Sequence, residues 1–183
     1  MLETRTLKVG LRAEENENAS PIITADFVVF GDVYNMGWDC YETIDPHAFD
    51  DTINDDIRAL FNHDTNIVLG RTKANTLTLS LDPYALRGKI CVNTEDAEAM
   101  NAYARVKRGD VDQCSFGFEI LEEAQEQRPD GAWLFTLKKV RLHEVSIVTF
   151  PAYQATSASA RSARQIDAWK QTRKARLSKC LNN

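Results

Sequence analysis

Nowhere in the 183 residues is there an apolar run of the roughly 18 residues that a membrane-crossing helix needs, so no transmembrane helix is expected. The opening "MLETRTLKVG" lacks the charged-then-apolar layout of a signal peptide. Cysteine is sparse. Cys40, Cys91, Cys114 and Cys180 are widely scattered and form no C-x-x-C pair. Neither a zinc site nor a redox motif is therefore expected, and reduced thiols are the simplest reading. No G-x-G-x-x-G, no P-loop, no G-x-S-x-G elbow and no internal repeat occurs, which leaves no cofactor or metal to expect and disfavours the hydrolase fold built on that elbow.

The acidic and basic residues are divided unevenly. From Arg161 to the end, seven basic residues face the single acid Asp167, while the whole chain carries −5. The body is thus strongly acidic and would repel phosphate, which argues against nucleic acid as its partner. The basic tail suits a solvated helix, or contact with nucleic acid or an acidic protein surface.

The length fits one domain with a tail. "TRTLKVGLRA" and "PIITADFVVFG" read as strands, and "ETIDPHAFDDTI" as a helix start with Asp45 as N-cap and Pro46 at the first helical position. "DIRALFNHD" and "NIVLGRTK" are short apolar runs around a polar tetrad. "NTLTLSLDPYALRGKICV" gives two strands turning at "DPYA". "NTEDAEAMNAYARVKRGDV" predicts a helix capped by Asn93 or Thr94, with acids first, bases last and Gly109 as its stop. "DQCSFGFEI" alternates as a strand. After the turn cluster "QEQRPDG", "AWLFTLKKVRLHEVSIVTFPA" supplies two strands or one long bent one. "AYQATSASARSA" reads as a small-residue linker and "RQIDAWKQTRKARL" as a short amphipathic helix. The sum is a mostly β, α+β domain with flanking helices. About seven strands suggest a closed or partly closed β-barrel over residues 1–154, followed by a linker and basic tail helix over 155–183.

Four residues invite chemistry. His63, where an apolar run meets a polar turn, can be held rigidly yet reach solvent, as a general base must. Ser115 lies on the polar face of its strand, and Gly117 on the same face removes bulk, either to admit a substrate backbone or to mark a bulge. Glu144 stands among Leu142, Val145, Ile147 and Val148 and needs a partner such as an imidazole N–H. Cys114 is the competing nucleophile, but its parity sets it with Phe116 and Phe118 toward the core, where a thiol is usually inert.

The segments "LFNHDTNIVLGRT", "CSFGFEI" and "HEVSIVTFPAY", with "IDPHAFDD" upstream, resemble the signature blocks of the tailed-phage prohead maturation proteases. The resemblance spans residues 42–153. The family is distantly similar in fold to the herpesvirus assembly proteases, which implies a herpesvirus-protease-like barrel. It implies a serine endopeptidase with His63, Ser115 and Glu144 as its catalytic residues. His143 remains an alternative third member, because the herpesvirus enzymes use a second histidine and adjacent strand residues face opposite ways. Arg71 in "LGRT" matches a family block as site support or as a loop-positioning residue. The implied substrates are the scaffolding protein or the scaffolding segment of the major capsid protein, together with the chain itself. The implied location is the immature capsid in the bacterial host cytoplasm, and a homo-oligomer follows by analogy only. A non-catalytic capsid-associated module of the same fold and a cysteine hydrolase using Cys114 are the competing readings.

Overall fold

In the computed structural model, the described residues are 3–8, 10–14, 20–37 and 39–150. The expected linker and tail helix lie outside them. Eleven strands and one α-helix are present among the described residues. The strands are β1 (Glu3–Lys8), β2 (Arg12–Glu14), β3 (Ile22–Val29), β4 (Tyr34–Gly37), β5 (Cys40–Ile44), β6 (Arg58–Phe61), β7 (Asp64–Arg71), β8 (Leu77–Leu81), β9 (Ala85–Cys91), β10 (Gln113–Gln127) and β11 (Trp133–Val148). The helix α1 (Ala97–Arg108) lies between β9 and β10.

The strands pair into two sheets. One runs β1-β10-β11-β5-β4, with β6 also paired to β11 and β7 to β6. The other runs β2-β3-β9-β8. Neither sheet closes on itself, so the expected barrel is corrected to two open layers. The first expected strand also divides: β1 joins one sheet and β2 the other. Such a split lets a short chain segment tie both layers together, which alternation along ten residues cannot reveal.

The long β11 organises the first sheet. Along one edge it pairs antiparallel with β10. Along the other it pairs parallel with β5 through Trp133–Leu137, then with β6 through Glu144–Ile147. "AWLFTLKKVRLHEVSIVTFPA" is thus one strand serving two partners.

The core forms between the sheets, from Ile23, Phe27 and Leu86 of one and Phe116, Phe118 and Val145 of the other, with Ala99, Ala102 and Val106 of α1 against them. Phe116 and Phe118 stack at 4.9 Å between centroids, and Phe49 meets Phe116 edge-on at 6.1 Å. Truncating such a buried ring costs about 3–5 kcal/mol.

The helix forms as its composition requires, with one shift. Its cap is Asp96, whose carboxylate accepts from the backbone N–H of Glu98 and Ala99 at 2.9 and 3.2 Å. Asn93, an expected cap, instead accepts from Glu95 N–H in a turn just ahead. Gly109 ends the helix at φ 85°, the left-handed conformation glycine adopts freely.

The expected helix at "DPHAFDD" does not form. Residues 46–54 make consecutive turns, with Ala48 N–H donating to Asp45 O, Asp50 N–H to His47 O and Thr52 N–H to Phe49 O. Asp45 still acts as a cap, taking His47 N–H at 2.9 Å. Asp50, Asp51, Thr52 and Asn54 favour local turn bonding over helix propagation, and the run is too short to nucleate alone. β4 and β5, with Gly37 and Asp39 at positive φ where one passes to the other, fall where no strand was predicted.

Candidate active site

His63 sits in a two-residue hairpin between β6 and β7. Both hairpin residues are left-handed, Asn62 at φ 55° and His63 at φ 60°. This is the turn whose twist matches flanking strands, and it is usually built with Asn and Gly. A histidine in the second position costs roughly 1–2 kcal/mol relative to glycine, the kind of local strain that gathers at functional sites. Asn62 pins the turn to the end of β11. Its N–H donates to Ile147 O at 2.8 Å, and its side-chain oxygen accepts from Thr149 N–H at 2.9 Å and Thr149 Oγ1 at 3.1 Å.

That anchoring brings the imidazole to β11. His63 Nδ1 lies 2.7 Å from Glu144 Oε1. A carboxylate oxygen offers no proton, so Nδ1 is the donor of this bond, and in the neutral ring the lone pair then lies on Nε2. The ring is 31% exposed and the carboxylate 10%, so the pair is sheltered on one side and reachable on the other. The second carboxylate oxygen, Oε2, accepts from Ser146 Oγ at 2.6 Å.

The nucleophile candidate lies one strand over. Ser115 on β10 is directly opposite Ser146 in the antiparallel register, and Gly117 is opposite Glu144. Ser115, Gly117, Glu144 and Ser146 thus share one face of the sheet, with β11 between Ser115 and the His63 hairpin. Ser115 is fully buried, and its hydroxyl donates to Arg5 O on β1 at 2.8 Å. No hydrogen bond joins Ser115 to His63 among the described residues. For the serine to give its proton to Nε2, its hydroxyl must turn away from the Arg5 carbonyl.

The space at Gly117 is not a vacancy for substrate. A Cβ built there would come 2.5 Å from Glu144 Oε1 and 3.1 and 3.2 Å from its Cγ and Cδ. The carboxylate fills the room that the missing side chain leaves.

His143 points the other way. It is 45% exposed at its side chain and lies 3.9 Å from Glu119 Oε2. Arg71 forms two 2.7 Å bonds to the Asp56 carboxylate, which ties the end of β7 to the loop before β6 and directs the guanidinium to Asp56 rather than to the His63–Glu144 pair. That guanidinium holds the Asp56 carboxyl at about 2, below its ordinary 3.8. Cys114 is fully buried on the opposite face from Ser115, and burial pushes its thiol well above the ordinary range. It supplies no ready thiolate.

A family of serine proteases of caudovirus proheads matches residues 7–172 of this sequence. The chain belongs to the caudovirus prohead serine protease family. It is therefore a serine peptidase of phage head maturation, and the match runs past residue 154 into the stretch read as linker and tail. No curated protein and no solved structure matches the chain. Among the described residues no helix is long and apolar enough to cross a membrane, and no group of three or more His, Cys, Asp or Glu side chains gathers as a metal would require.

Two site features escaped the sequence. Ser146 lies within "HEVSIVTFPAY" but follows a candidate acid by two residues, the spacing of any strand face. The tight hairpin had a signal, since "LFNHDTN" places Asn at the head of a two-residue turn between apolar and alternating runs.

Proposed function

We propose that the chain is an endopeptidase in which Ser115 attacks a peptide carbonyl, His63 serves as base and then acid, and Glu144 orients His63. The observation that carries this reading is the 2.7 Å contact of His63 Nδ1 with Glu144 Oε1, on the strand beside the one bearing Ser115. His63 Nε2 takes the hydroxyl proton as Ser115 Oγ bonds to the carbonyl carbon. The resulting imidazolium faces the carboxylate, and its proton then passes to the departing amine. Water repeats the sequence to release the acyl group and restore Ser115.

The substrates are the scaffolding protein or the scaffolding segment of the major capsid protein, inside an immature capsid in the host cytoplasm. Family membership supports this, and an acidic body suits a protein-cleaving role better than a phosphate-binding one. Removal of scaffold frees internal volume, and a cut chain does not rejoin, so the step is one-way. The stretch "QATSASARSA" is the site of self-cleavage, because its run of small and polar residues is a composition that proteases commonly cut.

Co-expression with the capsid protein, with and without Ser115→Ala, tests both claims by intact mass. Shortened capsid or scaffold chains are expected only with the unsubstituted enzyme. Identical products in the two cultures would overturn the proteolytic reading, and identical enzyme C-termini would overturn self-cleavage alone.

A further inference from the structure

We infer that Ser146 is a positioning residue for catalysis, which with Gly117 fixes the Glu144 carboxylate in the one orientation that serves His63. This rests on the reading of Glu144 as the acid that orients the general base.

A glutamate side chain has three rotatable bonds, so a carboxylate on a strand has many ways to miss its partner. Two of them are closed here. Ser146 Oγ donates to Oε2 at 2.6 Å, which leaves Oε1 for His63 Nδ1 at 2.7 Å. Gly117 lies opposite Glu144 in the β10–β11 register, and any Cβ there would stand 2.5 Å from Oε1. The carboxylate is therefore seated on bare backbone, with one oxygen held by each neighbour.

The position of Ser146 makes its hydroxyl hard to explain otherwise. It is completely buried, between Leu60 of β6 and Ser115 of β10 in register. A strand residue flanked this way would pack as readily with an alanine or valine. A buried hydroxyl is retained where it has a bond to make, and the one it makes is to the candidate acid.

Hydrogen bonds to charged groups are worth enough for their loss to slow a reaction about ten- to a hundredfold. In the full-length chain, Ser146→Ala is expected to lower kcat by that factor, with KM within twofold of the unsubstituted enzyme and a modestly lowered melting midpoint, since the bond is also present in the resting fold. Ser146→Cys fills similar space with a poor donor and is expected to be nearly as slow as alanine. Ser146→Thr keeps the hydroxyl and is expected to recover most of kcat. Gly117→Ala displaces the carboxylate from the other side and gives the same pattern of lowered kcat at unchanged KM. Full kcat in Ser146→Ala, or in Ser146→Cys, would overturn the inference.

A fluorophosphonate probe separates this inference from the function beneath it. Labelling of the unsubstituted enzyme at Ser115, slowed in Ser146→Ala, is the expected result. Labelling at Ser115 with an undiminished rate overturns the role of Ser146 and leaves the protease reading standing. Labelling at Ser146, or no labelling at all, overturns both.

Discussion

Two glutamates are buried in the first sheet, and their partners separate a pair that can only be structural from one able to exchange a proton. Glu42 on β5 is fully buried and receives Arg5, Nε to Oε1 at 2.5 Å and Nη2 to Oε2 at 2.9 Å. Glu144 at the other end of the same β11 seam receives an imidazole and a hydroxyl. A guanidinium never gives up its proton under working conditions, so the Arg5–Glu42 pair can only hold strands together. An imidazole gains and loses a proton near neutrality, so the His63–Glu144 pair can take part in a reaction. The two sites also touch through the backbone, since the Arg5 carbonyl accepts the Ser115 hydroxyl.

The comparison breaks most visibly at the chemical end. Glu144→Gln should reduce kcat by about ten-thousandfold while the protein melts nearly where it did, because an amide can present the wrong atom to Nδ1. A cleavage assay on purified protein measures it, and near-normal turnover would place the orienting acid elsewhere. At the structural end, Arg5→Ala takes the guanidinium from a fully buried carboxylate and should destabilise the fold by about 3–5 kcal/mol. Its cost appears in the denaturant midpoint rather than in a specific step of turnover, the reverse of Glu144→Gln.

His143→Ala sharpens the contrast from the neighbouring residue. Its ring is on the exposed side near Glu119, so turnover should change by no more than a few-fold. A loss approaching that of Glu144→Gln would transfer the third role to the histidine.

The smallest expected effect is on acid stability at Asp56. Its folded carboxyl is depressed to about 2 by Arg71, so the interaction stabilises the fold above the ordinary carboxylate range and is lost as pH falls toward 2. Asp56→Asn should therefore flatten the stability profile between about pH 4 and pH 2 and leave it unchanged in shape near neutrality. Thermal melts across that interval show whether it does.

The local elements that could be read from the chain were those with a complete local cause. α1 has acids, bases, a cap and a terminal glycine in order. β8 and β9 alternate, and the turn between them closes on Asp82, whose carboxylate takes Tyr84 N–H and Ala85 N–H. The parity of β10 set Cys114, Phe116 and Phe118 on the core side, where they are fully buried. What parity did not say is what covers the other face. Ser115 and Gly117 lie on the polar face of their strand and are nevertheless buried, because β1 and β11 flank that strand and Glu144 occupies the space above the glycine. "DPHAFDD" had a helix cap without a helix to follow it, and its local turn bonds were satisfied first. The barrel failed for a different reason: strand count and alternation do not specify closure, which depends on how edges meet.

The sequence by itself determined the core-facing side of β10, the body of the helix with its glycine stop, and the family blocks that contain His63, Ser115 and Glu144. Those follow from short-range chemistry, in which each residue answers to neighbours a few positions away. Only the tertiary structure decided that Glu144 rather than His143 meets His63, that Arg71 is bound to Asp56, that Ser146 holds the second carboxylate oxygen and that the Ser115 hydroxyl rests on Arg5. Each of these contacts joins residues on different strands or, for Ser146 and Glu144, depends on which face their shared strand presents. Register and pairing set them, and register is fixed by the packing of whole sheets.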